Sequence, residues 1–369
     1  MLLINLRFGE ENMKTNIFVL CGGKSVEHEV SLTSASAIIN AIDRDKYNVY
    51  PVFITKDGVW CSHGILEKEI ESPQDLILET DSTVAESLVD FLTNYLKKDE
   101  RNVVFPALHG PNGEDGTVQG LLEILDIPYI GNEVLSSAVG MDKVMMKDIF
   151  ARYDIPQAKY TYLWLHNWKD DRDKFIGEIE RSIGYPCFVK PSKGGSSVGI
   201  NRAENRDELI KALDIAFMYD VKAVVEEEII GREMQISVVG NNYPQASVAG
   251  EFIMERRFFD YNAKYIDGKL IPVIPARLTE ELSNEMRETA VRVFKLLNCY
   301  GLVRVDYFVT DDNKFYVNEV NTMPGFTKLS MTPALWEKTD GTTYEELIEI
   351  LIQLALERYE EKKAIVNSR

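Results

Sequence analysis

Two short segments near the C-terminus carry side chains that could bind metal ions. Arg304-Val-Asp306 and Glu319-Val-Asn321 each place two polar side chains two residues apart, so each pair lies on one face of a predicted strand. A hairpin would bring the two faces together. The oxygen donors of Asp306, Glu319 and Asn321 suit Mg²⁺, which leaves its other positions to water and substrate phosphates. Cross-strand ion pairs on a surface hairpin are the alternative interpretation.

A second segment has the composition of a phosphate-binding loop. Lys190 at a predicted strand end precedes Pro191–Ser197, which contains two glycines, three serines and a second lysine. Glycines let backbone N–H groups approach phosphate oxygens, and serines add hydroxyl donors. The loop is predicted to cover phosphates, with an ordinary Gly/Ser connector as the alternative. Lys143 follows Asp142, a predicted helix N-cap, and could reach the same phosphates.

A third cluster of polar residues follows an apolar strand. Glu226-Glu-Glu228 ends the predicted strand Ala223–Glu226, with Gly231 and Glu233 close by. Such carboxylates suit hydrogen bonds to adenine and ribose, although a solvated strand end is the commoner role for such a run.

Two nucleotide-binding motifs are excluded. Gly23-Lys24-Ser25 resembles the end of a P-loop, but the position that requires another glycine is Phe18. No GxGxxG follows the first strand, which argues against a dinucleotide-binding domain.

Composition narrows the classes of function further. The 369 residues include 59 Asp+Glu against 41 Lys+Arg, a net charge of −18, which argues against nucleic-acid partners and anionic membrane surfaces. The sequence has no uninterrupted apolar run that could span a membrane. Four scattered cysteines fit a reducing cytosol. We therefore expect a cytoplasmic globular protein, with residues 1–12 as a leader ahead of the regular pattern.

The elements that must position these residues form three units. Strand, helix and strand alternate in the first third, with a helix expected over 33–42 and a short strand over 127–130, which predicts a parallel α/β layer. The chain is divided into an N-terminal substrate-binding domain (1–131), a small central α+β domain (132–231) and a larger C-terminal α+β catalytic domain (232–369).

Taken together, these segments resemble the D-alanine–D-alanine ligase family, which has the ATP-grasp fold. The resemblance runs from about Lys14 to about Leu356. Its motifs include Leu108-His-Gly-Pro-Asn-Gly-Glu-Asp-Gly-Thr-Val-Gln-Gly120 and Asn318-Glu-Val-Asn-Thr-Met-Pro-Gly-Phe-Thr327. Further matching segments are 22–32, 141–143, 190–199, 259–265 and 301–306.

The resemblance implies a nucleotide site between the central and C-terminal domains. ATP would be bound by Lys143, Lys190 and Ser197 at its phosphates, by Glu226 and Ile229 at adenine, by Glu233 at ribose, and by Phe188 and Phe258 along the ring. Asp306, Glu319 and Asn321 would hold two Mg²⁺ ions, with Glu319 shared, and the sequence does not choose between Mg²⁺ and Mn²⁺. Glu227 and Glu228 replace a lysine and an aromatic residue of some relatives, which weakens the prediction of adenine stacking there.

The same resemblance implies a reaction through an acyl phosphate of one D-alanine, which the amine of a second D-alanine then attacks. Glu27 would bind the first ammonium group and join Ser196 and Tyr265 in a hydrogen-bonded set, with His109 nearby. The other implied contacts are Lys264 and Ser330 with the second carboxylate, and Arg304 and the Gly325 N–H with the oxyanion.

The sequence leaves alternatives open. A ligase that takes D-serine or D-lactate as second substrate would share most of these residues, although Tyr265 disfavours D-lactate. A non-catalytic nucleotide-binding scaffold on the same fold is the alternative of another class. The family resemblance also implies a homodimer.

Overall fold

The computed structural model describes residues 14–97, 100–253 and 271–365. Its first sheet has the order β3-β2-β1-β4, and β1 pairs in parallel with both β2 and β4. The strands are β1 (Thr15–Gly22), β2 (Tyr47–Ile54), β3 (Trp60–Ser62) and β4 (Asn102–Pro106). The buried apolar run of β1 lies at the centre of this layer, and β3 joins its edge antiparallel. The predicted parallel α/β layer is therefore confirmed.

Helices pack on this first sheet. They are α1 (His28–Ala41), α2 (Val84–Asp90) and α3 (Thr117–Ile124), with a 3₁₀ turn at Pro73–Leu76 and a π-helical turn at Phe91–Tyr95. The helix expected from Thr33 already begins at His28. The strand expected at 127–130 is wrong, because only an isolated bridge between Val104 and Tyr129 forms there.

The second sheet is antiparallel, with the order β5-β8-β6-β7. Its strands are β5 (Tyr160–Trp164), β6 (Cys187–Pro191), β7 (Asn201–Ala203) and β8 (Lys222–Glu227), and its helices are α6 (Leu165–Asp170), α7 (Arg172–Ser182) and α8 (Arg206–Ala216). Alternate residues such as Leu163, Val189 and Val225 form a core with α7 and α8. The opposite face carries Phe188, Lys190 and Glu226 and is left for a site.

The third sheet is the largest and has the order β12-β11-β9-β13-β14, with β10 on β9. Its strands are β9 (Arg232–Gly240), β10 (Gln245–Ala246), β11 (Gly250–Ile253), β12 (Ile271–Val273), β13 (Gly301–Val309) and β14 (Phe315–Asn321). The remaining helices are α4 (Val134–Met141), α5 (Lys143–Arg152), α9 (Glu280–Leu296), α10 (Met331–Asp340) and α11 (Tyr344–Lys363). α9 covers one face of this sheet with Met286, Ala290 and Val293.

Core packing connects the three sheets. Met146 and Phe150 of α5 share the core of the third sheet, although α5 precedes the second sheet in the chain. Leu347 and Leu351 of α11 share the core of the first sheet with Ile38 of α1. None of the helices in the described ranges is both long and apolar enough to span a membrane. The domain limits at 131 and 231 remain predictions.

Candidate functional site

The second and third sheets meet at a polar cleft that two lysines cross. The Lys190 Nζ donates to Glu226 Oε2 (3.0 Å) on its own sheet and to Asn318 Oδ1 (3.3 Å) on β14. The Lys143 Nζ lies 3.4 Å from Glu319 Oε2 and donates to the carbonyl of Gly194 (2.9 Å). Both cations predicted for phosphates therefore reach the strand predicted to hold metal ions.

The start of α5 is fixed by a buried ion pair. Asp142 caps the helix by accepting from the backbone N–H groups of Val144 and Met145, as predicted. Its carboxylate also accepts from the Lys222 Nζ (2.6 Å) and the Ser192 hydroxyl (2.7 Å). Burial opposes ionisation of Asp142, but these donors outweigh it and lower the pKa below its ordinary value. The cap holds Lys143 against the phosphate loop.

The predicted adenine and ribose residues lie on the cleft faces of the two sheets. Glu226 pairs directly with Phe188 across β8 and β6, so both side chains share a face. Half-buried Ile229 follows β8. On the third sheet, Glu233 of β9 lies opposite Phe308 of β13, two residue pairs along from the Gln235–Asp306 pair. The residues predicted for adenine and ribose therefore lie on β6, β8 and β9 and just after β8.

Glu226 is a buried carboxylate held between cations. Burial opposes its ionisation, but the nearby Lys147 and Lys190 ammonium groups more than compensate and lower its pKa. Lys147 is itself buried, and burial lowers its pKa despite the attraction of Glu226. Lys147 is a site residue that the sequence did not predict. Its spacing of one helical turn from Lys143 was the available signal.

The hairpin of β13 and β14 brings the two polar faces together, as predicted. Arg304 lies opposite Asn321, and Asp306 lies opposite Glu319. The Arg304 guanidinium forms a bidentate pair with Asp306, with both N–O distances at 2.7 Å, and the Asn321 amide donates to Asp306 Oδ2 (3.1 Å). An irregularity between Asp306 and Tyr307 shifts the register. It leaves Asn318, which was not predicted as a site residue, in contact with Lys190.

The donor set at this hairpin is hard oxygen. Within the ranges that the structure describes, no three His, Cys, Asp or Glu side chains group as a metal site. The predicted set therefore relies on two carboxylates, Asp306 and Glu319, and the amide of Asn321. Such a set fits a cation that completes its coordination with phosphate oxygens and water.

Glu27 is the buried acid of a separate subsite. Its Oε1 accepts a hydrogen bond from the Ser196 hydroxyl, which brings the phosphate loop onto the first domain. Its Oε2 is buried and has no hydrogen-bond partner among the described residues. A Cβ at Gly195 would lie 2.7 Å from this oxygen, and one at Gly110, where φ is +77°, would lie 2.8 Å from it. Two glycines therefore make room for the carboxylate.

His109 and Glu114 connect this subsite to the third sheet. The His109 Nδ1 contacts the Met323 carbonyl (3.2 Å), so Nδ1 is assigned the hydrogen and Nε2 accepts from the Ser34 hydroxyl (2.9 Å). Burial lowers the His109 pKa, which favours this neutral form. Glu114 accepts from the N–H groups of Gly110 (2.6 Å) and Met323 (3.2 Å). Burial, reinforced by Glu27, raises the Glu114 pKa to about 8.

Some of the remaining predicted residues lie within the described structure, and others lie outside it. Ser330 precedes α10, and its hydroxyl accepts from the Thr327 N–H (2.9 Å). A Cβ at Gly325 would lie 3.7 Å from the Ser330 oxygen, so these two residues are neighbours. Ser197 follows Ser196 with φ of +60° in the loop. Phe258, Lys264 and Tyr265 lie outside the described residues. Glu114 was not predicted by itself, although it lies inside a segment, residues 108–120, that carries the family resemblance.

Two antiparallel layers with cations and carboxylates between them fit the ATP-grasp fold that the family resemblance implies. Family models described as "D-ala D-ala ligase N-terminus" and "D-ala D-ala ligase C-terminus" match residues 16–132 and 149–353. The D-alanine--D-alanine ligase of Bacillus cytotoxicus is 49% identical over 95% of this chain and 98% of its own length. The chain therefore belongs to the D-alanine–D-alanine ligase family.

Solved structures agree with this assignment. The D-alanine-D-alanine ligase from Coxiella burnetii has a TM-score of 0.76 and 33% identity, covering 95% of this chain and 97% of that one. The VanG D-Ala:D-Ser ligase from Enterococcus faecalis has a TM-score of 0.77 and 32% identity, covering 93% of this chain and 100% of that one. The predicted fold class is confirmed.

Proposed function

We propose that this chain joins two D-alanine molecules into D-alanyl-D-alanine, converting ATP to ADP and phosphate, for peptidoglycan precursor synthesis. The observation that carries the proposal is the pair of contacts across the cleft. Lys143 reaches Glu319 and Lys190 reaches Asn318, which gathers positive charge beside an oxygen-donor set. That combination suits a nucleoside triphosphate and its metal ions.

ATP would lie along α5 with its phosphates at Lys143 and Lys190. The loop containing Ser197 would cover the phosphates, and Glu233 would accept from the ribose hydroxyls. The ionised Glu226 carboxylate would accept from the 6-amino group of adenine, because a carboxylate without its proton can only accept hydrogen bonds.

Asp306, Glu319 and Asn321 would hold Mg²⁺ or Mn²⁺, with Glu319 shared between two ions. When bound, these ions would neutralise the charge that develops on the transferred phosphoryl group. The Arg304 guanidinium already contacts Asp306, so the chain's own cations stand beside both carboxylates of the set.

In the first step a carboxylate oxygen of D-alanine attacks the γ-phosphorus of ATP, and the bond to the bridging oxygen breaks to release ADP. Glu27 would hold the ammonium group of this D-alanine through the oxygen that lacks a partner among the described residues. Lys143 and Lys190 would offset the repulsion between the attacking carboxylate and the triphosphate.

In the second step the free amine of another D-alanine attacks the carbonyl carbon of the acyl phosphate. The C–N bond forms, the C–O bond to phosphate breaks, and the amine proton leaves to solvent. Arg304 and the N–H of Gly325 would donate to the tetrahedral oxyanion. Ser330 and Lys264 would bind the second carboxylate, with Tyr265 joining the Glu27–Ser196 pair to exclude water.

The test is phosphate release from ATP with D-alanine alone, and then with D-serine or D-lactate added. We expect turnover with D-alanine as the sole amino acid and D-alanyl-D-alanine as the product by mass spectrometry. Phosphate release that required D-serine at millimolar D-alanine would instead assign the chain to D-alanine–D-serine ligation.

Asp306→Asn tests catalysis against a non-catalytic scaffold. We expect turnover to fall about a thousandfold, the scale on which losing charge stabilisation slows phosphoryl transfer. Asp312→Asn, on the exposed turn of the same hairpin, should keep wild-type activity. Equal activity of wild type and Asp306→Asn would overturn the metal assignment. ATP binding without any turnover in the wild type would favour the scaffold.

A cytoplasmic location remains a prediction from composition and cysteine usage, and a homodimeric assembly remains a prediction from the family resemblance. Gel filtration with light scattering checks the second, since a dimer of this chain would have twice its mass of 42.0 kDa.

A further inference from the structure

One buried cation in the cleft is not accounted for by the phosphates or the metal ions. Lys147 lies one turn after Lys143 on α5, and its side chain is 1% exposed. Its Nζ is 3.5 Å from Glu226 Oε1, and neither atom has a hydrogen-bond partner among the described residues. A buried charge without hydrogen bonds is costly to keep. Stability alone therefore does not explain why a lysine occupies this buried position.

The two oxygens of Glu226 are served by different lysines. Lys190 binds Oε2 at 3.0 Å but also contacts Asn318 across the cleft. Among the described residues, the Lys147 Nζ forms its ion pair with Oε1. The ring of Tyr160 also lies near this ammonium group, with its centroid 5.6 Å from Nζ. Lys190 therefore also contacts β14 beside the predicted phosphate site, whereas Lys147 forms its ion pair with the Glu226 carboxylate.

Helix geometry explains why α5 can serve both ends of one ligand. Residues four apart on an α-helix lie on the same face, about 6 Å apart along the axis. Lys143 is held at the phosphate loop and at Glu319, while Lys147 is held at Glu226. A single face of α5 therefore runs from the phosphates toward the base.

We infer that Lys147 is a positioning residue that keeps Glu226 ionised and oriented as a hydrogen-bond acceptor, and so selects 6-aminopurine over 6-oxopurine triphosphates. This inference rests on the proposed function. An ionised carboxylate accepts from a 6-amino group but repels a 6-oxo oxygen. Without Lys147, a buried Glu226 binds a proton more readily and can donate to that oxygen.

The experiment compares kcat/KM for ATP and for inosine triphosphate, in which a 6-oxo group replaces the 6-amino group and N1 carries a hydrogen. We expect Lys147→Met to lower kcat/KM for ATP about tenfold or more, mainly through KM, and to narrow the ATP-to-inosine-triphosphate ratio about tenfold. That factor corresponds to losing one charge-assisted hydrogen bond. The KM for D-alanine should not change, and Lys147→Arg should restore part of the ratio.

Three further variants complete the design. Lys211→Met removes an exposed lysine of α8 in the same domain and should behave like the wild type. Glu226→Gln, whose amide can donate, should shift the preference toward inosine triphosphate. Lys147→Gln replaces the methionine variant if the latter does not fold, as judged by circular dichroism.

An unchanged nucleotide ratio in the Lys147 variants would overturn the inference. An equal loss of kcat/KM with both nucleotides would overturn it as well, because a purely structural lysine would produce such a loss. The proposed function fails separately, if the wild type forms no ADP from ATP with D-alanine.

Discussion

The carboxylate of Glu27 has its two oxygens in different situations. One accepts a hydrogen bond from Ser196, and the other is buried without a hydrogen-bond partner among the described residues. A Cβ at Gly110 would lie 2.8 Å from that second oxygen and one at Gly195 would lie 2.7 Å from it, so either would displace the carboxylate. A small cation such as a substrate ammonium group is the natural complement of such an oxygen.

Glu27→Gln tests whether the Glu27 carboxylate binds the ammonium group of the substrate. The amide keeps the size of the side chain but loses the charge, so kcat/KM for D-alanine should fall about 10- to 150-fold, the equivalent of a charged hydrogen bond of about 1.5–3 kcal/mol. Initial rates against D-alanine concentration measure the effect. Ser196→Ala, which removes only the neighbouring hydroxyl, should cost less. An unchanged D-alanine KM in Glu27→Gln would contradict the assignment.

Sequence reasoning reaches some residues of the site and not others for physical reasons. Lys143 and Lys190 stand beside a helix cap and a glycine loop, and both signals are local. The contact of Glu27 with Ser196 joins residues 169 positions apart, so only the family resemblance predicts it. Lys147 has a local signal, its spacing from Lys143, but a lysine on a helix is usually solvated, and nothing in the sequence reports its burial.

At the scale of elements, the hairpin of β13 and β14 shows where pattern reasoning ends. Strict alternation places Arg304 and Asp306 on one face of β13, and Glu319 and Asn321 on one face of β14. The observed register brings these two faces together, with Arg304 opposite Asn321 and Asp306 opposite Glu319. The shift after Asp306 breaks that alternation and leaves Asn318 facing Lys190. Bulges of this kind depend on the partner strand, so the residues of β13 alone do not predict the shift.

Glu114 connects two loops that belong to different sheets. Its two oxygens accept from Gly110, after β4, and from Met323, after β14. Because burial raises its pKa to about 8, the carboxyl group is largely protonated in the folded protein at neutral pH. The junction between the first and third sheets is therefore sensitive to pH.

The pH dependence of stability follows from that shift. The unfolded chain loses this proton near its ordinary pKa of 4.5, and the folded chain loses it near 8. Between these values the folded state binds more protons, so raising the pH lowers the free energy of unfolding. Thermal unfolding midpoints of the wild type should fall by a few degrees more from pH 5 to pH 8 than those of Glu114→Gln. Parallel curves would show that Glu114 titrates normally.

At the scale of the whole molecule, α11 closes the chain onto its beginning. Arg358 is 4% exposed and donates to the carbonyls of Gly131 and Tyr129. Its guanidinium carbon lies 4.4 Å from the ring centroid of Tyr129. Lys362 adds ion pairs with Glu123 (2.7 Å) and Glu133 (3.1 Å). α11 therefore packs against the first domain, although it follows the third sheet in the chain.

Arg358→Met should lower the free energy of unfolding by about 3 kcal/mol, because it leaves buried carbonyl groups without donors. Urea denaturation followed by circular dichroism measures the loss. Lys363→Met, an exposed change on the same helix, should stay within about 0.5 kcal/mol of the wild type. Equal stability of Arg358→Met and the wild type would refute the role of this contact.

The packing of α11 also sets the order in which a ribosome can deliver a finished protein. Ile38 of α1 and Leu351 of α11 belong to one core, yet more than 300 positions of chain separate them. At roughly 5–20 residues per second, translation reaches α11 about 15 seconds to a minute after α1 has emerged. Throughout that interval the nascent first domain exposes to water the apolar core residues that α11 later covers.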